Sequence, residues 1–202
     1  MSFKSDRPFA RAGQVIGLLG GSFDPPHQGH VHLTKTALTR CQLDQVWWMV
    51  SPGNPLKPDA PADLGRRLRA CRAIMDHPRV KITDIEAQFS TRYTAQTLDY
   101  LAQLYRGVRF VWLMGEDNLA NFHRWERWPS IIANAPIGVF ARPGQHLPAR
   151  LTHAARLYRW ARLPEAQAPL LGRTAPPAWC HINMPKQAVS STAIRAKGDW
   201  ER

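Results

Sequence analysis

The stretch Val15-Ile-Gly-Leu-Leu-Gly-Gly-Ser-Phe-Asp-Pro-Pro-His-Gln-Gly-His30 decides how the rest of the chain is read. Its first five residues are an apolar run of strand length that ends in Gly20-Gly21. Ser22 to Gly29 is loop chemistry, and from His30 to Thr39 the apolar residues Val31, Leu33, Ala37 and Leu38 recur at helical spacing. Strand, glycine-rich loop and helix follow one another, which is the arrangement that binds anions at the carboxyl end of a parallel strand. Gly20 and Gly21 let backbone approach a phosphate, and the amides that open the helix are expected as unpaired donors at its positive end. If the helix begins near His27, the imidazoles of His27 and His30 point toward one locus over its first turn.

Blander readings compete with that one. A glycine pair after a strand often makes only a turn. The His-x-x-His spacing could be half of a zinc site, but no nearby cysteine or carboxylate group completes it, so no protein-held metal is expected. The histidines could also be surface decoration. Against this, Gly-Ser-Phe-Asp-Pro and His-x-Gly-His in one loop form a more specific pattern than either half.

Working outward, Gln45 to Val50 is a second apolar strand that empties into Ser51-Pro-Gly-Asn-Pro-Leu-Lys-Pro58, where three prolines forbid regular structure. Asp63 to Asp76 reads as an amphipathic helix with Arg66, Arg67, Arg69 and Arg72 on a basic, solvated outer face. Val80 to Thr83, Phe110 to Met114 and Ile137 to Phe140 read as strands, and Thr94 to Tyr105 as a helix. Asn118 to Ala133 reads as helical pieces broken at Pro129. Strands alternating with helices imply an α/β fold with a doubly wound parallel sheet, because each parallel crossover needs a helix to return the chain. A single domain over residues 1–202 is expected, with residues 1–13 a flexible lead-in. Residues 145–178 are an elaboration of open role, with a short helix around Leu151 to Arg162.

The chain has 202 residues, 44% hydrophobic and 21% charged, which excludes disordered, collagenous and coiled-coil classes. It has no apolar run of about 18 residues, so no membrane span is expected, and its first residues lack the apolar block of a secretory signal. The cytoplasm is the expected compartment. The three cysteines, Cys41, Cys71 and Cys180, fit neither a disulfide framework nor a metal knuckle and read as buried thiols. A net charge of +12 suits anionic ligands, either nucleotides or nucleic acid.

Gly21-Ser-Phe-Asp-Pro-Pro-His-Gln-Gly-His30 resembles the signature of the H-x-G-H nucleotidyltransferase superfamily, and Ser190-Ser-Thr-Ala-Ile-Arg195 resembles its second nucleotide motif. Other segments resemble one branch, the bacterial nicotinate-nucleotide adenylyltransferases. These are Gly115-Glu-Asp-Asn-Leu119 followed by Phe122, Trp125 and Ile131; Tyr93-Thr94-Ala-Gln-Thr97-Leu98; and the proline-rich loop ending in Lys57. The resemblance spans Gly17 to Arg195 and implies a Rossmann-like fold. It also implies adenylyl transfer from ATP, accompanied by Mg2+, to nicotinate mononucleotide. The protein would supply position and charge rather than a covalent nucleophile.

Carried over residue by residue, the resemblance implies that His27 and His30 bind phosphate in the transition state. Gly20, Gly21, Ser22 and Phe23 would line the ATP site. Lys57 would reach toward phosphate, and Ser190, Ser191 and Arg195 would complete the triphosphate site. Thr94, Asp117 and Trp125 would hold nicotinate mononucleotide, with the indole stacked on the pyridine ring. Trp125 as part of a buried stripe with Phe122 and Trp128, and Asp117 as a helix cap, remain open alternatives. So does a sister acceptor such as phosphopantetheine. A nucleic-acid-binding module is a remote alternative, since the tryptophans sit in apolar runs rather than on a basic face. The sequence departs from the family pattern in having Leu56 where a histidine usually precedes the lysine. It also stops at Arg202, where many relatives continue through another helix. It selects no oligomeric state, and a homo-oligomer is compatible with it.

Overall fold

A computed structural model describes residues 7–53, 60–141, 151–185 and 190–201. The strands are β1 (Val15–Gly21), β2 (Gln45–Val50), β3 (Val80–Thr83), β4 (Arg109–Gly115), β5 (Ile137–Phe140), β6 (Arg162–Leu163) and β7 (Trp179–Ile182). The helices are α1 (Gln28–Arg40), α2 (Leu64–Ile74), α3 (Ile85–Gln88), α4 (Thr94–Leu104), α5 (Glu116–Asn121), α6 (Trp128–Asn134), α7 (His153–Leu157) and α8 (Ser191–Ala196). Short 3-10 segments cover Phe122–Arg124, Arg159–Ala161 and Glu165–Arg173.

The strands form one sheet in the order β3-β2-β1-β4-β5-β7-β6, and every pairing is parallel. The chain runs outward from β1 to β3, then returns past β1 to lay down β4 on its other side. The loops after β1 and β4 therefore diverge and leave a crevice at their carboxyl ends, the switch point where such sheets bind ligands.

Alternation along the strands builds two cores. In β2, Val46, Trp48 and Val50 face one core with Leu19, Leu33 and Leu113, while Trp47 and Met49 face the other with Ile16, Leu18 and Trp112. Both faces are apolar because helices cover both, as a doubly wound parallel sheet requires. The cysteines lie in these interiors; burial pushes Cys41 and Cys71 up to about 12 and Cys180 to about 11, so they are thiols at neutral pH.

The chain departs from the sequence reading in several places. Strand β6 is two residues long and runs into Pro164, too short to show a period, and β7 starts two residues after Pro176-Pro177, where the prolines mask it. The open-role segment turns out to cover one face of the sheet. Ala168 and Leu171 are buried in the first core, and a Cβ on Gly172 would come within 2.1 Å of Val15 Cγ1, so only glycine allows that approach. Pro129 does not break a helix; it occupies the first turn of α6, where its missing amide costs nothing. Residues 7–13 meet the connection between α4 and β4, where Tyr105 Oη donates to the Pro8 carbonyl (2.9 Å) and the Gly13 amide to the Gly107 carbonyl (2.7 Å).

Candidate active site

Helix α1 begins at Gln28 with His27 as its N-cap, so the condition for the two imidazoles to converge is met. The rings lie 3.9 Å apart, centroid to centroid. The amides behave differently from the sequence expectation. The Gly29 amide donates to His27 Nδ1 (3.1 Å), and the His27 amide donates to His30 Nδ1 (3.2 Å). The histidines thus form a capping box of their own, and these opening amides are engaged rather than unpaired. The consequence is chemical. In its neutral form a ring whose Nδ1 accepts carries its proton on Nε2, so the two hydrogen bonds fix the tautomer that each imidazole takes beside the positive end of α1.

A stack supports this pair. Phe23 is 2% exposed, lies 4.8 Å from the His30 ring and stacks on Trp48 at 4.9 Å, and the Trp48 indole donates to Thr34 Oγ1 at 2.7 Å. Phe23 adopts φ 47°, a left-handed conformation that is costly for a bulky residue and that this packing holds in place. Its side chain is a support for His30, which leaves only its backbone to meet a ligand. Gly20 likewise has a steric reason beyond phosphate approach: a Cβ there would lie 2.6 Å from the Trp112 ring on the neighbouring strand.

The two sequence motifs meet although they are far apart in the chain. Ser191 Oγ donates to the Pro25 carbonyl (2.8 Å), Arg195 donates to the Asp24 carbonyl, and its guanidinium lies 3.9 Å from Asp24 Oδ2. Ser190 caps α8 by accepting from the Ala193 amide (3.2 Å). Asp24, 2% exposed, also accepts from the Trp200 indole (2.7 Å) and the Ala62 amide (3.3 Å). It is a hub that sequence reasoning missed. Lys57 and Leu56 lie outside the described residues.

Arg67 corrects the reading of α2. It is 1% exposed, donating from Nε to the Ala62 carbonyl and from Nη1 to those of Ser22 and Ser51, each at 2.7 Å. Burial pulls its pKa below the ordinary arginine value, with the Asp24 carboxylate the strongest opposing influence. One guanidinium thereby joins the loops after β1 and β2 to the start of α2. Its position was a usable signal, because Leu64, Arg67, Leu68 and Cys71 follow the i, i+3, i+4, i+7 rule of a buried stripe. Arg66 does face outward, its guanidinium 4.2 Å over the Trp200 ring.

The proposed acceptor residues lie on the same rim. Thr94 opens α4, Asp117 is in the first turn of α5 directly after β4, and Trp125 follows the 3-10 segment at Phe122–Arg124. Asp117 is not a cap, since Gly115 holds that position, and Asp117 Oδ1 is buried. Nor do Phe122, Trp125 and Trp128 share a helix; Trp125 is half-buried, edge-on to Trp112 at 6.1 Å and to Phe122 at 5.5 Å. The Trp112 ring that it meets is the one packed against Gly20.

Against Thr97, one turn along α4 from Thr94, lies a buried acid that the sequence did not reveal. Glu86, 6% exposed, accepts from Thr97 Oγ1 at 3.2 Å. Burial pushes its carboxyl from 4.5 up to about 7, and the Thr97 hydrogen bond opposes that rise without cancelling it. Between those values the folded chain binds more protons than the unfolded one, so Glu86 costs stability as pH rises through this window. Glu86→Gln is expected to match the wild-type melting temperature near pH 4.5 and to exceed it increasingly up to pH 7, with a plateau above. A difference independent of pH in thermal melts would contradict the assignment.

A parallel sheet with a glycine loop and paired histidines at its switch point defines a nucleotide-handling α/β protein. The cytidylyltransferase-like family model matches residues 18–197. A Roseobacter denitrificans protein named "Probable nicotinate-nucleotide adenylyltransferase" is 60% identical over 193 residues, 96% of this chain and 97% of its own. A Cereibacter sphaeroides protein of the same name is 62% identical over 186 residues, 92% of this chain and 98% of its own. The chain therefore belongs to the cytidylyltransferase-like family, in the nicotinate-nucleotide adenylyltransferase branch. Its fold is shared by the Plasmodium falciparum nicotinic acid mononucleotide adenylyltransferase solved in complex with NaAD. The TM-score is 0.69 at 16% identity, covering 91% of this chain and 83% of that one.

Proposed function

We propose that the protein transfers the adenylyl group of ATP to nicotinate mononucleotide, a step of NAD biosynthesis. A phosphate oxygen of the mononucleotide attacks the α-phosphorus of ATP. The bond from that phosphorus to the bridging oxygen breaks, the oxygen keeps the electron pair, and pyrophosphate leaves as nicotinic acid adenine dinucleotide forms. The observation that carries this reading is the meeting of the 21–30 loop with the 190–195 motif at the switch point, through Ser191 to Pro25 and Arg195 to Asp24.

His27 and His30 donate from Nε2 to oxygens that gain charge as the phosphorus is attacked. Ser190, Ser191 and Arg195 receive the departing pyrophosphate, with the guanidinium aligned by Asp24. Thr94, Asp117 and Trp125 hold the acceptor. Among the described residues no three His, Cys, Asp or Glu side chains cluster to hold a metal, and Asp24 is occupied by Trp200 and Ala62. In this reading magnesium enters bound to the triphosphate, as part of the substrate.

Trp125→Ala tests the acceptor half. Stacking is worth roughly 1–3 kcal/mol, so the KM for nicotinate mononucleotide is expected to rise about five- to a hundredfold while that for ATP stays level. Parallel losses for both substrates, with a lowered melting temperature, would make Trp125 a core residue alone.

A further inference from the structure

We infer that Glu86, Thr91 and Thr97 form a buried positioning cluster that sets the acceptor-binding turn at the start of α4; this rests on the reading of Thr94 as an acceptor contact. Glu86, Thr91 and Thr97 are 6%, 2% and 0% exposed, so their polar atoms answer to one another rather than to water. Thr97 Oγ1 donates to Glu86 Oε1 at 3.2 Å, and the hydroxyls of Thr91 and Thr97 lie 3.0 Å apart. The Thr97 hydroxyl also lies within 3.3 Å of the Tyr93 carbonyl, and the Thr91 hydroxyl within 3.4 Å of the Glu86 carbonyl, so either hydroxyl can be the donor of the pair. The Thr91 amide closes the loop on the Glu86 carbonyl at 3.0 Å.

The cluster encloses the segment that needs fixing. Between α3 and α4 the chain turns through Ser90 at φ 52°, a left-handed conformation unfavourable to a serine. The N-cap of α4, Tyr93, supplies no side-chain cap. An end without a side-chain cap frays unless something else holds it. Thr97 lies one turn beyond Thr94 on the same face, and the Thr97 amide bonds the Tyr93 carbonyl at 3.1 Å. Anchoring Thr97 to Glu86 therefore fixes the first turn of α4, and Thr94 with it. The carboxyl, raised by burial, works equally well as a neutral acceptor. None of the three side chains is required to touch substrate; they act through Thr94.

Thr97→Val keeps the shape of the side chain and removes its hydroxyl; Thr97→Ser restores the hydroxyl. Steady-state kinetics are measured for wild type and both variants with ATP and nicotinate mononucleotide, alongside melting temperature. Thr97→Val is expected to raise the KM for nicotinate mononucleotide about tenfold, the equivalent of one well-made hydrogen bond, and to leave that for ATP within about twofold. Thr97→Ser is expected to return the acceptor KM to within about twofold of wild type. If Thr97→Val does not fold, Thr91→Val, which leaves the Glu86–Thr97 bond in place, is expected to shift the same KM in the same direction. Equal changes in both KM values, or a lowered melting temperature with neither KM changed, would overturn the inference while leaving the proposed reaction intact. A wild-type chain that fails to turn over nicotinate mononucleotide would overturn the proposed reaction and this inference together.

Discussion

His30→Ala is expected to lower kcat by about 10²- to 10³-fold, the usual effect of removing a donor aimed at charge that develops in the transition state. The KM for ATP should change little, since the interaction strengthens only as the phosphorus is attacked. The variant also loses half of the capping box at α1, because the His27 amide donates to His30 Nδ1. A stability loss of about 1 kcal/mol is therefore expected beside the kinetic one. His30→Asn separates the two effects: its side-chain oxygen can still accept from the His27 amide, and it has no imidazole to present. Restored melting temperature with unrestored kcat is the expected outcome. Wild-type turnover in either variant would remove His30 from the chemistry and leave it a capping residue.

Arg67→Met is expected to destabilise the fold by about 3–5 kcal/mol, since three carbonyls lose a donor and each group left unsatisfied costs about 1–3 kcal/mol. Three carbonyls, those of Ser22, Ser51 and Ala62, would lose their donor, that of Ala62 in a buried setting and the other two in a part-buried one. For a chain of this length that corresponds to a fall in melting temperature of roughly 6–20 °C. Methionine fills much of the same volume, so the loss reports the hydrogen bonds rather than a cavity. A melting temperature within about 2 °C of wild type would show that the loops after β1 and β2 do not depend on this guanidinium.

How much of this was legible in the sequence depended on whether a signal was local. Glycine punctuation and apolar period placed β1, α1 and the loop between them, and helix spacing placed His27 and His30 together. The pairing of Ser191 with Pro25 has no local signal, and only the family resemblance connected those segments. Arg67 was misassigned because charge was weighed above position, although its place on the Leu64–Cys71 stripe marked it as inward. The Glu86 cluster was invisible for another reason. A short helix of four residues has no period, and the partners of Glu86 come from the next helix, across a turn that no spacing rule predicts. Strand β6 failed on length, since two residues cannot establish alternation, and β7 was hidden by its place directly behind Pro176-Pro177 in a stretch whose prolines read as irregular. The opening amides of α1 were misjudged because histidine is an unusual cap, and a ring nitrogen took the part that serine or aspartate normally plays.

The central claim is that this site joins ATP to a pyridine mononucleotide. The most direct test supplies the full chain with ATP and magnesium, adds nicotinate mononucleotide, phosphopantetheine or a polyol phosphate in separate reactions, and measures pyrophosphate release together with the product formed. The account predicts release with nicotinate mononucleotide, matched mole for mole by nicotinic acid adenine dinucleotide, and little release with the other two. Efficient turnover of phosphopantetheine or the polyol phosphate, with none of nicotinate mononucleotide, would contradict it.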